Sequence, residues 1–267
     1  MPIVNKLLRW YMKNDVQYPW RLTTNPYHVW VSEIMLQQTQ AQTVIPYFNN
    51  WLIKFPSINS VAKAKSDDIL KSWEGLGYYA RARNFHLACK KLYEKGLNVV
   101  PKDFNEFIQL PGVGEYTAAA VLSIAHNQPL PAIDSNVIRI VSRINEIPFT
   151  FPKSKKIIND YLVSILPKKK PGDFNQSMMD FGRFICKNIT PKCNDCIINI
   201  HCNAFVSNSV DNFPIKLKKP KKPHYNIAIG VIWNENKILI TKRPNNGLLG
   251  GLWEFPGGKI KTNESSQ

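Results

Sequence analysis

Residues 110–117 read LPGVGEYT, and this short stretch decides the fold predicted for the whole chain. Pro111 ends one helix, Gly112 and Gly114 permit positive φ angles, and Thr117 opens the next helix. The stretch therefore predicts two helices joined by a tight hairpin whose backbone N–H groups point outward. Such donors at a helix N-terminus bind phosphate groups without reading a base sequence.

The charge of the chain favours a polyanionic partner. Its 267 residues carry a formal net charge of +16, and the pI is about 9.6. Lys and Arg gain free energy by neutralising phosphates, so we expect the backbone of Gly112, Val113 and Gly114 to contact DNA. The lysine-rich runs at residues 168–170 and 218–222 are more simply a solvated loop and a linker.

Most of the chain has the apolar spacing of helices. Apolar residues recur three and four positions apart from residue 1 to about 205, and strand-like alternation is scarce there. The predicted fold class is therefore mainly α in this region. The clearest helical segments are residues 29–39, 61–73, 81–93, 116–125 and 136–144.

Four of the five cysteines lie close together, as Cys186, Cys193, Cys196 and Cys202. Their spacing, C-x6-C-x2-C-x5-C, favours a [4Fe-4S] cluster over zinc, because paired zinc knuckles usually have a longer insert between the two pairs. Zinc and two disulfides stay as alternatives, although nothing at the N-terminus resembles a signal peptide. Cys89 stands alone on a helical pattern and is most simply a small buried apolar residue.

Two carboxylates lie in otherwise apolar helical surroundings. Glu33 is the only charged residue in the segment 29–40, so burial there would raise its pKa and suit it to proton donation. The alternative is a first-turn Glu stabilised by the helix dipole. Asp134 directly precedes a predicted helix, and its alternative is an ordinary N-cap.

Together these stretches resemble the helix-hairpin-helix DNA glycosylases, and more narrowly the MutY-type adenine DNA glycosylases. Besides the hairpin, Asp134 and the cysteine loop, the resemblance rests on SEIMLQQTQ at residues 32–40 and WEGLGYYARARN at residues 73–84. It covers residues 1 to about 205. It implies two helical lobes flanking a DNA groove, and an enzyme that removes adenine mispaired with 8-oxoguanine or guanine.

The resemblance also implies the chemistry. Glu33 would protonate the adenine ring at N7, and ionised Asp134 would stabilise the oxocarbenium sugar or form a transient adduct with it. Asn136 and Tyr116 match positions that line the active site of the family. The related endonuclease III type has a Lys at the position of Tyr116, and a phenol cannot form a Schiff base. We therefore expect a monofunctional glycosylase that leaves an abasic site.

Four further residues match positions that bind DNA or the adenine in the family. Gln38 and Tyr78 match side chains that wedge into the duplex when the base is flipped out. Their alternatives are a helix-surface glutamine and a core aromatic residue. Arg21 and Gln176 match positions near the adenine pocket.

The resemblance gives the cysteine loop a [4Fe-4S] cluster as cofactor. Lys187 and Lys192 lie between its first two cysteines, so the loop would present cations to phosphate and take no part in the chemistry. Double-stranded DNA is the expected partner, and we expect a monomer with no membrane association. The expected location is cytoplasmic, in a bacterium, on the nucleoid.

The predicted organisation has a helical glycosylase domain at residues 1–205, a linker at 206–223 and a β-rich segment at 224–267. Within the helical domain, residues 21–130 would form one lobe, and residues 1–20 with 131–205 the cluster lobe.

The β-rich segment begins with two alternating stretches at 225–233 and 237–243, joined by a polar turn at 234–236. With LLGGLWEFPGG at residues 248–258, it resembles the opening of the Nudix-like domain that inspects 8-oxoguanine in the family. It is expected to be truncated. We expect no nucleotide hydrolysis from it, because the helix with the metal ligands of true Nudix hydrolases does not follow.

Two other functions are weighed against this prediction. One is an endonuclease III-like glycosylase-lyase for oxidised pyrimidines, which Tyr116 and the C-terminal segment oppose. The other is a DNA-binding iron-sulfur protein without catalysis, in which Glu33 and Asp134 would affect only stability.

Overall fold

The computed structural model describes residues 2–14, 17–148, 153–215, 223–244, 247, 249–260 and 264. Within these residues, helices precede a few short strands, which confirms the predicted mainly α class. The helices are α1 (Pro2–Lys13), α2 (Pro26–Leu36), α3 (Ala41–Lys54), α4 (Ile58–Lys63), α5 (Ser66–Ser72), α6 (Ala80–Glu94), α7 (Phe104–Phe107), α8 (Glu115–His126), α9 (Ser135–Asn145), α10 (Lys153–Ile165), α11 (Pro171–Phe184) and α12 (Asn203–Val206). The strands are β1 (Ile227–Ile229), β2 (Trp233–Asn234), β3 (Lys237–Ile238), β4 (Thr241–Lys242), β5 (Trp253–Glu254) and β6 (Gly257–Lys259).

Two of the predicted helices differ from the structure by more than one residue at an end. The segment 61–73 is not one helix, because Ala64 and Lys65 have extended backbone with ψ angles of 151° and 145°. Ser66 then begins α5, whose first turn contains two Asp residues that favour a helix start. The predicted helix 29–39 ends earlier, at Leu36, because Gln37 is extended with ψ 113°.

An aromatic core holds the first part of the chain together. Trp30, Trp51, Trp73, Phe85 and Phe107 are all fully buried. Their rings meet mostly edge to face, with centroids 4.7 Å apart for Trp30 and Phe85 and 5.7 Å apart for Trp51 and Trp73. Such pairs are favourable beyond the area that they bury. Cys89 is also fully buried here, as an unpaired thiol.

A second core lies among α1, α9, α10 and α11. Leu7, Ile140, Ile158 and Phe174 are among its buried members. The N-terminal helix α1 thus packs with helices from the later part of the chain, as in the predicted cluster lobe. The predicted bounds of the two lobes stay a prediction.

The chain divides into two compact units, Met1–Gly77 with Arg81–Lys216 and Tyr78–Ala80 with Leu217–Gln267. In the second unit, β2 and β3 form an antiparallel hairpin in which Trp233 pairs with Ile238, and β1 pairs with β6. The predicted hairpin is therefore present, with Glu235 and Asn236 as its turn and Asn234 in β2, but the long predicted strands are short ones. Residues 216–222 of the predicted linker lie outside the described residues. Among the helices that are described, none is long and apolar enough to cross a membrane.

Candidate active site

One cleft in the helical unit brings together five of the residues predicted from the sequence. They come from stretches far apart in the chain, and they are Arg21, Glu33, Tyr116, Asp134 and Asn136. The other side chains that line the cleft are Tyr18, Trp20, Leu36, Thr39, Gln40, Ala41, Met179, Asp180 and Arg183. The cleft therefore combines three carboxyl groups with two guanidinium groups and two phenols.

Glu33 is a buried carboxyl group with a hydroxyl partner. It lies on α2, and its side chain accepts a 2.8 Å hydrogen bond from the Tyr116 hydroxyl group. Burial raises the pKa of Glu33, while the Tyr116 hydrogen bond and the charge of Arg21 oppose this change. Burial, with the charge of Glu33, also raises the pKa of Tyr116 well above its usual range, so the phenol keeps its proton.

Asp134 has a richer set of donors than Glu33. It is the N-cap of α9, where Oδ1 accepts from Val137 N at 2.7 Å and Oδ2 accepts from Asn136 Nδ2 at 2.7 Å. Burial raises the pKa of Asp134, whereas these donors and the charge of Arg139 favour the ionised form. Asp134 is therefore an N-cap, as its alternative interpretation held, and it also faces the cleft that Glu33 lines.

Arg21 links the cleft to helix α11. Its Nη1 donates to Oε1 of buried Gln176, and its Nη2 lies 3.2 Å from Oδ1 of Asp180. Gln176 does not line the main cleft. It lines a neighbouring one with Arg21, Thr23 and other polar groups. Arg21 thus lies between the two clefts.

Gln38 and Tyr78 are exposed residues in two turns. Both have positive φ angles, 56° for Gln38 and 49° for Tyr78, in the left-handed region that side chains other than glycine rarely adopt. The Tyr78 side chain is 60% exposed, so its interpretation as a core aromatic residue is wrong.

The hairpin joins α7 to α8. Gly112 has a φ of +78°, and Gly114 is the N-cap of α8. Both glycines are exposed, whereas Val113 is buried and its N–H donates to the Leu110 carbonyl at 3.1 Å. Val113 therefore anchors the turn, and the exposed backbone on either side is free of side chains.

The four cysteines of the loop line one pocket with apolar side chains of α9 and α11 and with Arg143. Nη1 of Arg143 lies 3.5 Å from the Cys186 Sγ. Burial raises the pKa of the Cys196 thiol to about 12 and also raises the pKa values of Cys193 and Cys202. No disulfide joins them. In the part of the chain that the structure describes, no three His, Cys, Asp or Glu side chains converge as ligands of a single metal ion do.

Lys187 and Lys192 hold this loop through their backbone. The Lys187 carbonyl accepts from Arg143 Nη1 at 2.7 Å, and Lys192 N donates to the Ile185 carbonyl at 3.0 Å. Lys192 is exposed and Lys187 is half-buried.

Arg139, which was not predicted from the sequence, joins the cysteine loop to the cleft. Its Nη2 donates to Asn136 Oδ1 at 2.8 Å, and its Nε donates to the Cys186 carbonyl at 2.7 Å. Asn136 in turn donates to Asp134, so three hydrogen bonds connect that carboxyl group to a cysteine of the loop. The position of Arg139 among the apolar residues of α9 was the sequence feature that could have indicated a buried, hydrogen-bonded role for it.

Asp180 was also missed. It lies four positions after Gln176 on α11, so both side chains share one helix face. That spacing was the signal that could have joined Asp180 to the predicted pocket. Burial raises the pKa of Asp180, and the charges of Arg21 and Arg183 oppose this change.

Comparison with known families decides where the chain belongs. The profile of the HhH-GPD superfamily of base excision DNA repair proteins matches residues 31–168. This match covers more than half of the chain and includes the hairpin, Glu33 and Asp134. The chain belongs to the HhH-GPD superfamily. A NUDIX domain profile matches residues 228–267, in the β-rich segment.

Relatives within the HhH-GPD superfamily extend over most of the chain. The adenine DNA glycosylase of Buchnera aphidicola subsp. Acyrthosiphon pisum is 38% identical over 259 residues, which is 96% of this chain and 74% of that protein. The adenine DNA glycosylase of Homo sapiens is 32% identical over 98% of this chain and 58% of that protein. These matches confirm the predicted family resemblance.

Solved structures share the fold. A thermostable thymine-DNA glycosylase matches with a TM-score of 0.70 and 25% identity, over 77% of this chain and 95% of that one. An endonuclease III trapped as a covalent intermediate with DNA matches with a TM-score of 0.66 and 23% identity, over 77% and 94%. The predicted helix-hairpin-helix glycosylase fold is confirmed.

The hairpin gives a prediction for DNA affinity. Gly112→Ala would place a Cβ 2.8 Å from the Asn84 Cβ, at a φ of +78°. We expect the hairpin to shift and the affinity for duplex DNA to fall by about tenfold, because a turn of this kind is positioned by its backbone. Fluorescence anisotropy with labelled duplex would measure the change. Gly96→Ala is the matched control, because Gly96 has a similar φ of +73° and open space around it. Equal affinity losses in both variants would contradict a specific role of the hairpin.

Proposed function

We propose that this chain is an adenine DNA glycosylase that removes adenine paired with 8-oxoguanine or guanine and leaves an abasic site. The observation that carries the proposal is the shared cleft of Glu33 and Asp134. Burial raises the pKa of both carboxyl groups, but Glu33 accepts a hydrogen bond from the Tyr116 hydroxyl group, whereas Asp134 accepts from Val137 N and Asn136 Nδ2 and is also near the charge of Arg139. A pair of acids in such different surroundings is suited to divided roles as acid and charge stabiliser.

Glu33 is the general acid in the proposed mechanism. Breaking the N-glycosidic bond leaves negative charge on adenine, and a proton at N7 makes the base a neutral leaving group. Burial raises the pKa of Glu33, which keeps this proton available closer to neutral pH. The Tyr116 hydroxyl group orients the carboxyl group from its other side, through the 2.8 Å hydrogen bond to Oε2.

Asp134 stabilises the sugar. As the bond breaks, positive charge develops on the sugar ring, and a fixed carboxylate stabilises that charge electrostatically or through a transient covalent adduct. Val137 N and Asn136 Nδ2 hold the two oxygens of Asp134 in place. Water then attacks the sugar and the abasic site is released.

Tyr116 supports a reaction without strand cleavage. Lyase chemistry requires an amine that forms a Schiff base with the sugar, and a phenol cannot supply one. The side chain that occupies this part of the cleft is a phenol hydrogen-bonded to Glu33. The endonuclease III-like alternative is therefore less suited to this site.

Tyr116→Phe tests the coupling of the phenol to Glu33. The hydroxyl group opposes the pKa increase of Glu33, so its removal should raise the pKa of Glu33 further. We expect the alkaline limb of the excision rate to move to higher pH, measured in single-turnover reactions across a pH series. An unmoved limb would mean that Glu33 does not control it.

Base flipping is assigned to Gln38 and Tyr78, with phosphate contacts from the exposed backbone of Gly112 and Gly114 and from Lys187 and Lys192. Val113 was expected to join these contacts, but it is buried and its N–H donates to the Leu110 carbonyl, so it holds the hairpin instead. Extruding adenine from the stack costs a few kcal/mol, which side chains that fill the gap offset. The exposure of both proposed wedges is compatible with this role. Arg21 and Gln176 would hold the adenine pocket through their mutual hydrogen bond.

The cofactor proposed for the cysteine loop is a [4Fe-4S] cluster. Cys186, Cys193, Cys196 and Cys202 would hold it, and they line one pocket beside the cation of Arg143. A cluster binds each thiolate to a different iron atom, so its ligands need only surround a common pocket. The cluster would order the loop and present its lysines to DNA. Iron and sulfide analysis of the purified protein would test the assignment, and bound zinc in place of iron would contradict it.

The β-rich segment is the proposed reader of 8-oxoguanine. Its described strands are two or three residues long, and several large apolar side chains on them are exposed.

The test of the proposed function is single-turnover excision from duplexes with adenine opposite 8-oxoguanine, guanine or thymine. Each reaction is analysed with and without alkali. We expect strand breaks only after alkali, fastest opposite 8-oxoguanine. Breaks without alkali would favour the lyase alternative, and tight binding without excision would favour a non-catalytic DNA-binding protein. Equal rates opposite 8-oxoguanine and guanine would mean that the β-rich segment does not read the oxidised base.

A further inference from the structure

The guanidinium group of Arg81, near the start of α6, binds two separate turns at once. Its Nη1 and Nη2 atoms donate to six oxygen atoms, all at 2.5 to 3.2 Å. The acceptors of Nη1 are the carbonyl oxygens of Ile34, Met35 and Gln37. The acceptors of Nη2 are Thr39 Oγ1 and the carbonyl oxygens of Leu76 and Gly77.

These acceptors surround the two proposed wedge residues along the chain. Gln38 lies between two of them, Gln37 and Thr39. Tyr78 directly follows a third, Gly77. Both wedge residues have positive φ angles, a conformation that persists only where the surrounding structure fixes it. Arg81 supplies bonds to both turns that help to fix it.

Trp73 completes the arrangement. The Arg81 guanidinium group lies over its ring, 5.3 Å from the centroid. The indole Nε1 also donates to the Gly77 carbonyl at 3.1 Å. A planar guanidinium group stacked on an indole can donate in several fixed directions, which an ammonium group cannot do. The arrangement is therefore specific for arginine.

We propose that Arg81 is a positioning residue that holds the Gln38 and Tyr78 turns in the conformation needed to enter the duplex. The inference rests on the proposed function, because it assigns Arg81 to the flipping of the target adenine. Arg81 does not line the cleft that contains Glu33 and Asp134, so its role is to position other residues. Because both turns are fixed before DNA binds, no conformational entropy is lost in ordering them when the Gln38 and Tyr78 side chains enter the duplex.

The proposal predicts that the effect of replacing Arg81 on the excision rate depends on whether the target adenine is stacked in the duplex. We expect Arg81→Met to lower single-turnover excision about 100-fold for adenine paired with 8-oxoguanine, since misplacement by about 1 Å has such effects. Adenine left unpaired in a bulge needs little flipping, so the loss there should stay below about tenfold. Lys91→Met is the control, because it removes an exposed cation from the same helix.

A double-mutant cycle separates positioning from general stability. In a Gln38→Ala, Tyr78→Ala background, Arg81→Met should lower the rate by less than about threefold, because the side chains that it positions are gone. Arg81→Lys, which keeps the charge, should lower the excision rate nearly as much as Arg81→Met does. Arg81→Lys can replace Arg81→Met in all these measurements if Arg81→Met does not fold.

Two outcomes would overturn the proposal. One is that Arg81→Met lowers the excision rate equally for paired and bulged adenine. The other is that Arg81→Met lowers the rate about 100-fold also in the Gln38→Ala, Tyr78→Ala background. Failure of the proposed function has a different signature, because the unmutated protein would then excise adenine from neither substrate.

Discussion

Glu33→Gln is expected to lower the rate of adenine excision by about 100- to 10 000-fold, the range that a general acid contributes. Glutamine keeps the shape of the side chain, and its oxygen can still accept from the Tyr116 hydroxyl group 2.8 Å away. What it lacks is the proton for adenine. We therefore expect DNA affinity to change little while the chemical step is lost.

The same substitution should stabilise the fold. Burial raises the pKa of Glu33, so the folded chain binds its proton more tightly than the unfolded chain does. Below the pKa that Glu33 has in the unfolded chain, its carboxyl group is protonated in both states, and its burial does not lower the free energy of unfolding. As pH rises from that pKa toward the higher pKa of Glu33 in the folded chain, the free energy of unfolding falls. Glutamine does not titrate. The Tm difference in favour of Glu33→Gln should therefore grow with pH across this window and stay constant above it.

Single-turnover excision and thermal unfolding across a pH series would measure both effects. Glu94→Gln is the matched control, because Glu94 is exposed at the end of α6. It should leave the excision rate unchanged. A Glu33→Gln variant that excises normally would contradict the acid role. A Tm difference independent of pH would contradict the raised pKa.

The sequence predicted the local features of the fold because they depend on neighbouring residues. Apolar spacing located α6, α8 and α9, and the glycines of the hairpin predicted its turn. The sequence-based prediction was wrong at Ala64 and Lys65, where a single helix was expected. The residues that start α5 favour a new helix there, although the apolar spacing continues. Apolar spacing alone does not show where two helices replace one.

The candidate site was less predictable because its residues meet only in the folded chain. Glu33 was identified from its apolar surroundings, and Asp134 from its place before a helix. The hydrogen bond from Tyr116 to Glu33 and the network of Arg139 could not be read from spacing. Nor could the opposing influences on Asp134, since burial is a tertiary property. The residue roles themselves came from the family resemblance.

Asp134→Asn is expected to lower the excision rate by about 100- to 1000-fold, because it removes fixed charge from the site where positive charge develops. The variant keeps the cap of α9, since its Oδ1 can still accept from Val137 N. Its Nδ2, however, would face the Asn136 Nδ2 that now donates to Oδ2 at 2.7 Å. We expect a modest loss of stability and a large loss of rate.

Asp103→Asn separates the charge of Asp134 from its capping. Asp103 is the N-cap of α7 and accepts from Glu106 N at 2.8 Å, much as Asp134 accepts from Val137 N. If Asp134 were only a cap, both variants would lose a little stability and excise at nearly the normal rate. If the charge of Asp134 acts on the sugar, only Asp134→Asn greatly lowers the excision rate.

The pH dependence of excision gives a second test of Asp134. Burial raises the pKa of Asp134, so the unmutated enzyme should lose activity as pH falls through that pKa. The residual activity of Asp134→Asn should not show this loss at low pH.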